Sequence, residues 1–377
     1  MQKNTRLYLT VLIIIALIAS FMTVYAHGSS TQAHTNLSGI SAKSCALYIP
    51  EINEFIYEKS ADMRMPMAST TKIMTAIVAV EACDMSEIVE IDERSVNIEG
   101  SSAYLKVGDI LTMEELIYAL LLQSANDAAV AIANHVAGDV DAFSELMNEK
   151  AKELALTDTH FTNPHGLDDE EHYTTARELA VIAGEALSND ALKSAFATYK
   201  RTFQTGERVR TYVNHNKLLS LYDDAIGIKT GFTKKSGRCL VGAAERDGLI
   251  LIAVTLNAPS DWHDHMAMFD YGYENYEKVT LAYEGEYEYS RFVFNSIGNK
   301  ITVSNRDEFS IIRKRNDADI SAELKLPSFL YAPISTDEIL GKVIFTEGGK
   351  YIGEVNLYAK NELSLEKKQG FFDKIKH

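Results

Sequence analysis

Hydrophobic and polar positions in the first 280 residues follow strand-like patterns at both ends of the region. Residues 44–49 and 54–58 are predicted to form a strand pair, because the four residues between them suit a turn. Later in the region, apolar runs rich in β-forming residues predict adjacent strands at 225–229, 239–243 and 249–256.

The segments between these strands are predicted to be helical. From residue 69 to about 82 the chain is apolar on nearly every helical face, which is typical of a helix buried in the middle of a domain. Residues 113–136 have a helical pattern interrupted at 124–126, and residues 141–187 have one broken at 163–166. Strands first, helices in the middle and strands last predict an α+β domain whose two ends share one sheet.

The pattern changes near residue 280. From 279 to 358 the chain consists of short alternating segments separated by Gly-Asn and Gly-Gly turns. This pattern predicts a small, separate all-β domain of about 80 residues. We therefore place a first domain at residues 42–276 and a β-rich domain at 279–360.

The two ends of the chain have sequences of their own. Residues 1–26 have a charged start at Lys3 and Arg6, an apolar run and a small residue at Ala26, which predicts an export signal cut before His27. Retention of this segment as a membrane anchor is the alternative, and both place the rest of the chain outside the cytoplasm. A polar linker, 27–41, follows. The basic amphipathic tail, 361–377, suits contact with a membrane surface, with a frayed solvated end as the alternative.

Charge and cysteine content exclude some classes of protein. The 377 residues carry a formal net charge of −16, which argues against a nucleic-acid partner because such a partner needs a basic face. Three cysteines are too few for a disulfide framework in a chain of this size. Cys45, Cys83 and Cys239 each lie in an apolar run, and we expect them to be small buried residues, with one bridge as the alternative.

Three short motifs occur in the order expected of an acyl-transfer enzyme, and the first is Ser69-Thr70-Thr71-Lys72. Helical residues three positions apart lie on one face, so Lys72 can reach the Ser69 hydroxyl directly. A serine is a poor nucleophile until a base takes its proton, and a lysine acts as that base only when burial or nearby cations lower its pKa. We predict Ser69 as nucleophile and Lys72 as general base, with Lys229 as one candidate for the nearby cation.

The second motif, Ser124-Ala125-Asn126, is a polar island in an otherwise apolar stretch. Buried polar side chains must find partners. Capping of the helix that follows, by Ser124 or Asn126, is one explanation. Because the second motif occurs together with the first, we expect the two to lie close together in the fold. Ser124 would then relay a proton to the leaving group, and Asn126 would hold Lys72 and the substrate amide.

The third motif, Lys229-Thr230-Gly231, follows a predicted apolar strand. Gly231 lets a substrate backbone approach the strand edge, while Lys229 and Thr230 offer a cation and a hydroxyl that suit a carboxylate. We predict that the backbone N–H groups of Ser69 and Phe232 form an oxyanion hole. A plain strand-ending turn is the alternative for the tripeptide taken alone.

Together these motifs and their flanking residues resemble the D-alanyl-D-alanine carboxypeptidases, the low-molecular-mass penicillin-binding proteins. The resemblance covers about residues 41–276, and its most specific segments are 66–76, 122–129, 162–167 and 227–233. It implies an α+β catalytic domain of the penicillin-binding transpeptidase and β-lactamase-like fold, followed by a small all-β domain.

The resemblance also implies a reaction and its partners. The substrate would be a peptidoglycan stem peptide ending in D-Ala-D-Ala. Ser69 would attack the penultimate carbonyl, D-alanine would leave, and water would hydrolyse the acyl-enzyme. β-Lactam antibiotics would acylate the same serine. The resemblance implies no cofactor and no metal, the sequence contains no H-E-x-x-H pair, and His165 is expected to be structural.

One stretch departs from the family pattern. The family often carries an arginine after the strand that follows the third motif, where it helps to hold the terminal carboxylate. Residues 258–265 of this chain contain no arginine. Lys229, Thr230 and His263 are the candidates for that role, and weaker substrate binding is the alternative.

Three other functions share parts of this pattern. A serine β-lactamase of class A needs a glutamate in an E-x-x-L-N string to activate the deacylating water, and the sequence has no such string. A DD-endopeptidase that cuts peptidoglycan cross-links would use the same Ser69 chemistry, because motifs fix the chemistry but not the substrate. A non-catalytic penicillin sensor would have no need of all three motifs.

Overall fold

The computed structural model describes residues 37–205, 208–296 and 298–365 of the chain. The predicted export signal and most of both the predicted linker and the predicted basic tail lie outside these ranges. Within the described residues, no helix combines the length and the apolar character that crossing a bilayer requires.

The described strands and helices are numbered along the chain. The strands are β1 (Ser44–Ile49), β2 (Glu54–Lys59), β3 (Ile88–Glu90), β4 (Ile110–Thr112), β5 (Lys200–Thr205), β6 (Arg208–Val213), β7 (Ala225–Thr233), β8 (Gly237–Arg246), β9 (Leu249–Leu256), β10 (Tyr276–Ala282), β11 (Glu288–Phe294), β12 (Lys300–Asn305), β13 (Phe309–Lys314), β14 (Ile320–Lys325), β15 (Phe329–Tyr331), β16 (Ile339–Glu347) and β17 (Lys350–Ala359). The α-helices are α1 (Lys72–Ala82), α2 (Met113–Leu122), α3 (Asn126–Ala137), α4 (Val140–Glu153), α5 (Ala176–Leu187), α6 (Asp190–Ala197), α7 (Leu218–Leu221) and α8 (Asp261–Asn275).

An antiparallel sheet with the order β2-β1-β9-β8-β7 forms the centre of the first domain. Because β1 pairs with β9, the prediction that both ends of this region share one sheet is confirmed. Neighbouring strand residues point to opposite faces, and here Ile252 lies against Gly184 of α5 while Leu251 lies against Gly272 of α8. Helices therefore cover both faces, which buries every residue of β1. β7 is left as an edge strand.

The predicted helical region packs on one side of this sheet. Helix α1 is almost entirely buried and contacts α2, α3, α4 and α5, as its all-round apolar sequence predicts. The predicted interruption at residues 124–126 separates α2 from α3. The break predicted at 163–166 is wider than expected, because residues 154–175 contain no helix. Pro164 cannot continue a helix, and a series of turns surrounds it.

Seven strands and helices of the first domain were not predicted from the pattern: β3, β4, β5, β6, α6, α7 and α8. The hairpin of β5 and β6 is largely polar, so it lacks a clear alternation. Helices α6 and α8 mix charged and apolar positions. The buried carboxylate of Asp264 in α8 accepts hydrogen bonds from the backbone N–H groups of Ser41 and Ala42, at 2.9 and 3.0 Å. This contact fixes the start of the described chain against α8.

The β-rich region begins with β10, directly after α8. β10 pairs with β13, and the other strands form a six-stranded sheet in the order β14-β16-β17-β12-β11-β15. Its core contains Val293, Val303, Phe345 and Leu357. The α+β catalytic fold followed by a small all-β domain is confirmed.

The three cysteines are unbridged. Cys45 and Cys239 are buried, and burial raises their pKa values to about 12 and about 11. Cys83 is half-buried, so the expectation of a fully buried residue was wrong for this position. It follows the last residue of α1, where the helix reaches the surface.

Candidate active site

Ser69 lies in a tight turn at the start of α1. Ala68, immediately before it, has a φ of +48°, in the left-handed region that alanine rarely adopts. The Thr71 hydroxyl donates a hydrogen bond to the Ala68 carbonyl at 2.7 Å. A single 3-10 turn over Ala68–Thr71 leads into α1, so Ser69 precedes the α-helix instead of lying within it. Free N–H groups at this end of a helix favour developing negative charge.

Two buried residues, His172 and Gly166, contact this turn. His172 Nδ1 accepts a hydrogen bond from the Thr162 backbone N–H at 3.0 Å, so Nε2 carries the ring proton and donates to the Thr71 hydroxyl at 2.7 Å. Burial lowers the pKa of His172 to about 4, which keeps the ring neutral near pH 7. Gly166 has a φ of +87°, and a Cβ at this position would overlap the Ala68 carbonyl. Glycine is therefore the residue that fits.

The Nζ atom of Lys72 makes three contacts. In its ammonium form this fully buried side chain donates to Ser69 Oγ at 3.0 Å, to Asn126 Oδ1 at 2.7 Å and to the His165 carbonyl at 2.6 Å. Carbonyl oxygens accept hydrogen bonds but never donate them. In the neutral amine, the two N–H groups therefore bind the two carbonyls, and the nitrogen lone pair faces the Ser69 hydroxyl.

The surroundings of Lys72 favour this neutral form. Burial lowers its pKa well below the ordinary value for lysine, and the charge of Lys229 lowers it further, while Asp127 opposes the shift. Lys229 is the predicted neighbouring cation, and burial lowers its own pKa to about 7. His165 also lies here, but its pKa of about 3 makes it a poor proton acceptor, and its contact with Lys72 is through the backbone.

Asn126 is fixed by the loop that precedes α2. Its Nδ2 donates to the Glu99 carbonyl at 2.5 Å, and its backbone N–H donates to the Ser101 carbonyl at 2.7 Å. The next residue, Asp127, accepts a hydrogen bond from the Ala103 N–H at 2.9 Å. These contacts hold loop 99–105 against α3 and aim Asn126 Oδ1 at Lys72.

Ser124 has a φ of +58° and is nearly buried. The residue at the N-cap position of α3 is Ala125, which makes no side-chain cap, and Asn126 is the first residue of the helix. The alternative that Ser124 or Asn126 caps this helix is therefore wrong. Among the described residues, the Ser124 hydroxyl has no hydrogen-bond partner, so it is free to contact a substrate.

The third motif lies on the edge strand β7. Lys229 is buried, and its Nζ donates to the Thr230 carbonyl at 3.0 Å. A Cβ on Gly231 would lie 3.1 Å from the Ser69 nitrogen, so β7 passes very close to the Ser69 turn. Phe232 is two-thirds exposed. A peptide can therefore lie along the free edge of β7 as an added strand, beside Ser69.

A cavity of about 400 Å³ opens at this point, and residues of all three motifs line it: Ser69, Ser124, Thr230, Gly231 and Phe232. Lys72, Asn126 and Lys229 are buried next to these lining residues. The structure thus brings the eight predicted site residues together around one cavity, although they come from separate parts of the chain. A serine hydroxyl beside a buried lysine, a second free hydroxyl and a strand edge are groups that can carry out acyl transfer.

The cavity also contains residues that the sequence analysis missed, notably Arg238 and Trp262. Arg238 lies on β8 directly opposite Phe232. Its guanidinium donates to Asp261 Oδ1 at 2.8 Å and stands 5.6 Å from the centre of the Trp262 ring. His263, a predicted candidate for binding the terminal carboxylate, is exposed and is not a lining residue.

Comparisons with known proteins agree with this geometry. The family model for D-alanyl-D-alanine carboxypeptidase matches residues 29–260, more than half of the chain, and the model for the C-terminal domain of penicillin-binding protein 5 matches residues 276–364.

Individual relatives match nearly end to end. The chain is 30% identical over 346 residues to D-alanyl-D-alanine carboxypeptidase DacF of Bacillus subtilis, covering 89% of this chain and 88% of that protein. It is 30% identical over 382 residues to DacA of Escherichia coli, covering 96% and 93%. The crystal structure of penicillin-binding protein 5 from Haemophilus influenzae superposes with a TM-score of 0.63 at 25% identity, covering 86% of this chain and 98% of that one.

Proposed function

This chain belongs to the D-alanyl-D-alanine carboxypeptidase family and is a serine-type D-Ala-D-Ala carboxypeptidase, and on this premise we propose that Ser69 is its nucleophile and Lys72 its general base. The observation that carries the assignment is the set of three contacts around Lys72 Nζ. The carbonyls of Asn126 and His165 bind both N–H groups of the neutral amine, which directs its lone pair at Ser69.

Acylation then follows from the positions of these groups. Lys72 takes the Ser69 proton as Oγ bonds to the carbonyl carbon of the penultimate D-alanine. The backbone N–H groups of Ser69 and Phe232 stabilise the oxyanion, a contribution of about 2.7–4 kcal/mol for each donor in comparable sites. The proton passes from Lys72 through the Ser124 hydroxyl to the leaving nitrogen as the C–N bond breaks. D-Alanine departs, and water hydrolyses the ester by the same proton path.

Substrate recognition is divided between the strand edge and Arg238. The peptide backbone lies along β7, while Asn126 binds its amide. A carboxypeptidase must also bind a free terminal carboxylate, and an arginine offers a planar pair of donors for it. Arg238 is exposed, lines the cavity across from Phe232 and has further N–H groups beyond the one that binds Asp261. Lys229 does not line the cavity, and its Nζ donates to the Thr230 carbonyl. We assign the carboxylate contact to Arg238 together with the Thr230 hydroxyl.

The physiological substrate in this proposal is a peptidoglycan stem peptide ending in D-Ala-D-Ala, met outside the cytoplasm. β-Lactams, which present a strained amide and a carboxylate in a similar arrangement, acylate Ser69. The second candidate function that the sequence leaves open is a DD-endopeptidase, which would cut peptidoglycan cross-links with the same serine. No residue of the cavity favours this function.

The test is release of D-alanine from diacetyl-L-Lys-D-Ala-D-Ala by the protein lacking residues 1–26. We expect release that disappears in Ser69→Ala, and a mass increase of one penicillin on intact Ser69 but not on the variant. If the folded protein takes up penicillin at Ser69 but releases no D-alanine, the assignment of a D-Ala-D-Ala peptide as the substrate is contradicted. Penicillin uptake that persists in Ser69→Ala would contradict the assignment of Ser69 as the nucleophile.

A further inference from the structure

Four aromatic side chains form an exposed cluster in the β-rich domain, far along the chain from the catalytic motifs. Phe292 and Phe294 of β11 pair directly with Phe329 and Tyr331 of the parallel edge strand β15. The Phe294 ring lies 5.0–5.6 Å from the other three ring centres. We call these four residues the aromatic face; each side chain is between 42% and 62% exposed.

The fold of the domain does not require the aromatic face. The alternate residues on the same two strands, Val293 and Leu330, point to the other side and supply the core contacts. Four aromatic residues that are about half exposed present roughly 400 Å² of apolar surface, the size of the largest apolar patch on a typical monomer, and such patches are often functional. The surface therefore suits a partner that binds aromatic rings.

On the side of the sheet that carries the aromatic face, the charged residues of β11 and β12 are one lysine and one ion-paired glutamate. Lys300 lies directly opposite Phe292 on β12, so both side chains are on the same side of the sheet. The acidic residue on this side of β11, Glu288, is ion-paired with Lys360. An anionic surface is thus not repelled here, although the whole chain carries a net charge of −16.

The chain leaves the described structure beside the aromatic face. Leu365 is half exposed and bridges to Ser296, two residues after Phe294. The sequence that follows is rich in lysine and large apolar residues, namely Lys367, Lys368, Phe371, Phe372, Lys374, Ile375 and Lys376. Two segments with aromatic and basic character are therefore joined at one end of the domain.

We propose that the aromatic face is a membrane-contact surface that enters the headgroup region of an anionic phospholipid bilayer beside the C-terminal segment. A short amphipathic segment binds membranes weakly and reversibly, so stable association needs a second contact. Aromatic rings are well suited to the bilayer interface, and lysines nearby attract anionic lipid. The aromatic face supplies the second contact, and the chemistry at Ser69 plays no part in it.

The test is sedimentation of the protein lacking residues 1–26 with vesicles of phosphatidylglycerol and phosphatidylethanolamine. The double variant Phe294→Ser/Tyr331→Ser removes two rings of the aromatic face. The matched control is Tyr283→Ser/Tyr351→Ser, which removes two tyrosines of the same domain that are 60% and 62% exposed. We expect at least about a tenfold loss of vesicle binding for the first and little change for the control. Penicillin uptake and thermal unfolding report on the integrity of both.

A third variant, Phe371→Ser/Phe372→Ser, separates the C-terminal segment from the aromatic face. We expect each pair to weaken binding, and the two changes together to lower it further. Unchanged vesicle binding on loss of Phe294 and Tyr331 overturns the proposal, as does a wild-type protein that does not sediment with vesicles. The wild-type protein could instead self-associate, and the two substitutions could abolish this self-association without changing vesicle binding. That result would assign the aromatic face to a contact with a second copy of the chain and would also overturn the proposal.

Discussion

Lys72 Nζ lies 3.0 Å from Ser69 Oγ and is held there by two carbonyl oxygens on its other sides. Only a neutral amine presents a lone pair to the serine in this arrangement. The low polarity of the buried position and the charge of Lys229 both favour that neutral form. The proposed role of Lys72 as a base therefore rests on the burial of its side chain.

The first prediction concerns the protonation of this base. Lys72→Arg keeps a positive charge but cannot lose its proton near pH 7. We expect the rate of acylation by a fluorescent penicillin to fall by about 10²–10⁴-fold, the range typical of a lost general base. The exposed substitution Lys43→Arg is the control. Acylation of Lys72→Arg at near the wild-type rate would exclude Lys72 as the base.

The second prediction concerns the pH dependence of acylation. Activity requires deprotonated Lys72, so the rate falls as pH falls through its pKa. Lys229→Met removes a positive neighbour, which raises the pKa of Lys72 and moves the acidic limb of the profile to higher pH. Rates of acylation by a neutral thioester, measured from pH 5 to 9, test this shift. An acidic limb that stays in place or moves down contradicts the coupling.

The third prediction concerns stability. The pKa of Lys229 is about 7 in the folded protein and about 10.4 when unfolded, so between these values the unfolded chain binds more protons. The contribution of Lys229 to the free energy of unfolding therefore increases with pH, by about 2 kcal/mol from pH 7 to 9. In Lys229→Met this increment disappears. Urea denaturation of both proteins at pH 7 and 9 measures the difference, and an equal response to pH would contradict it.

The fourth prediction concerns the terminal carboxylate. Arg238→Gln is expected to lower kcat/KM by about 10- to 100-fold for a peptide ending in D-Ala-D-Ala, because a hydrogen bond to a charged group is lost. The same peptide with a terminal carboxamide should be cleaved equally by both proteins. Arg246→Gln, another arginine of β8 that is paired with Asp224, is the control. An equal loss for acid and amide would show that Arg238 acts on the fold instead.

The fifth prediction concerns the turn before Ser69. Gly166→Ala introduces a Cβ that overlaps the Ala68 carbonyl, whereas Gly138→Ala places one in open space at a similar φ. In both variants the unfavourable φ lowers the free energy of unfolding by about 1–2 kcal/mol. In Gly166→Ala, overpacking lowers it by about 1–3 kcal/mol more. We expect only Gly166→Ala to slow acylation. Thermal unfolding and penicillin uptake compare the two, and equal effects would remove the role assigned to Gly166.

The residues of the candidate site could be picked out from the sequence because each motif is short and contains its own chemistry. Ser69 and Lys72 are three residues apart, so local helical geometry brings them together without knowledge of the fold. Their relation to Asn126 and Lys229 is tertiary, and it was indicated by the order of the three motifs and by the resemblance to a family. The strands β1, β2 and β9 were predictable because apolar runs bounded by turns mark buried strands.

Arg238 could not be found in the same way. It has no motif, and its place in the cavity depends on the register of β7 against β8, which sets it opposite Phe232. The turn at residues 234–236 was a usable signal, since pairing across it would have indicated the partner of Phe232. The region 154–175 was assigned too much helix because its isolated apolar residues mimic helical spacing around Pro164.

The pairing of β1 with β9 also affects how this protein is made. More than 200 residues separate the two strands in sequence, so the first strand remains without its central neighbour until the ribosome has passed Leu256. Contacts this distant form late and slowly. A nascent chain that cannot complete its sheet keeps apolar strand residues exposed to solvent for longer. The topology thus delays completion of the sheet beside Ser69 until about two-thirds of the polypeptide has been synthesised.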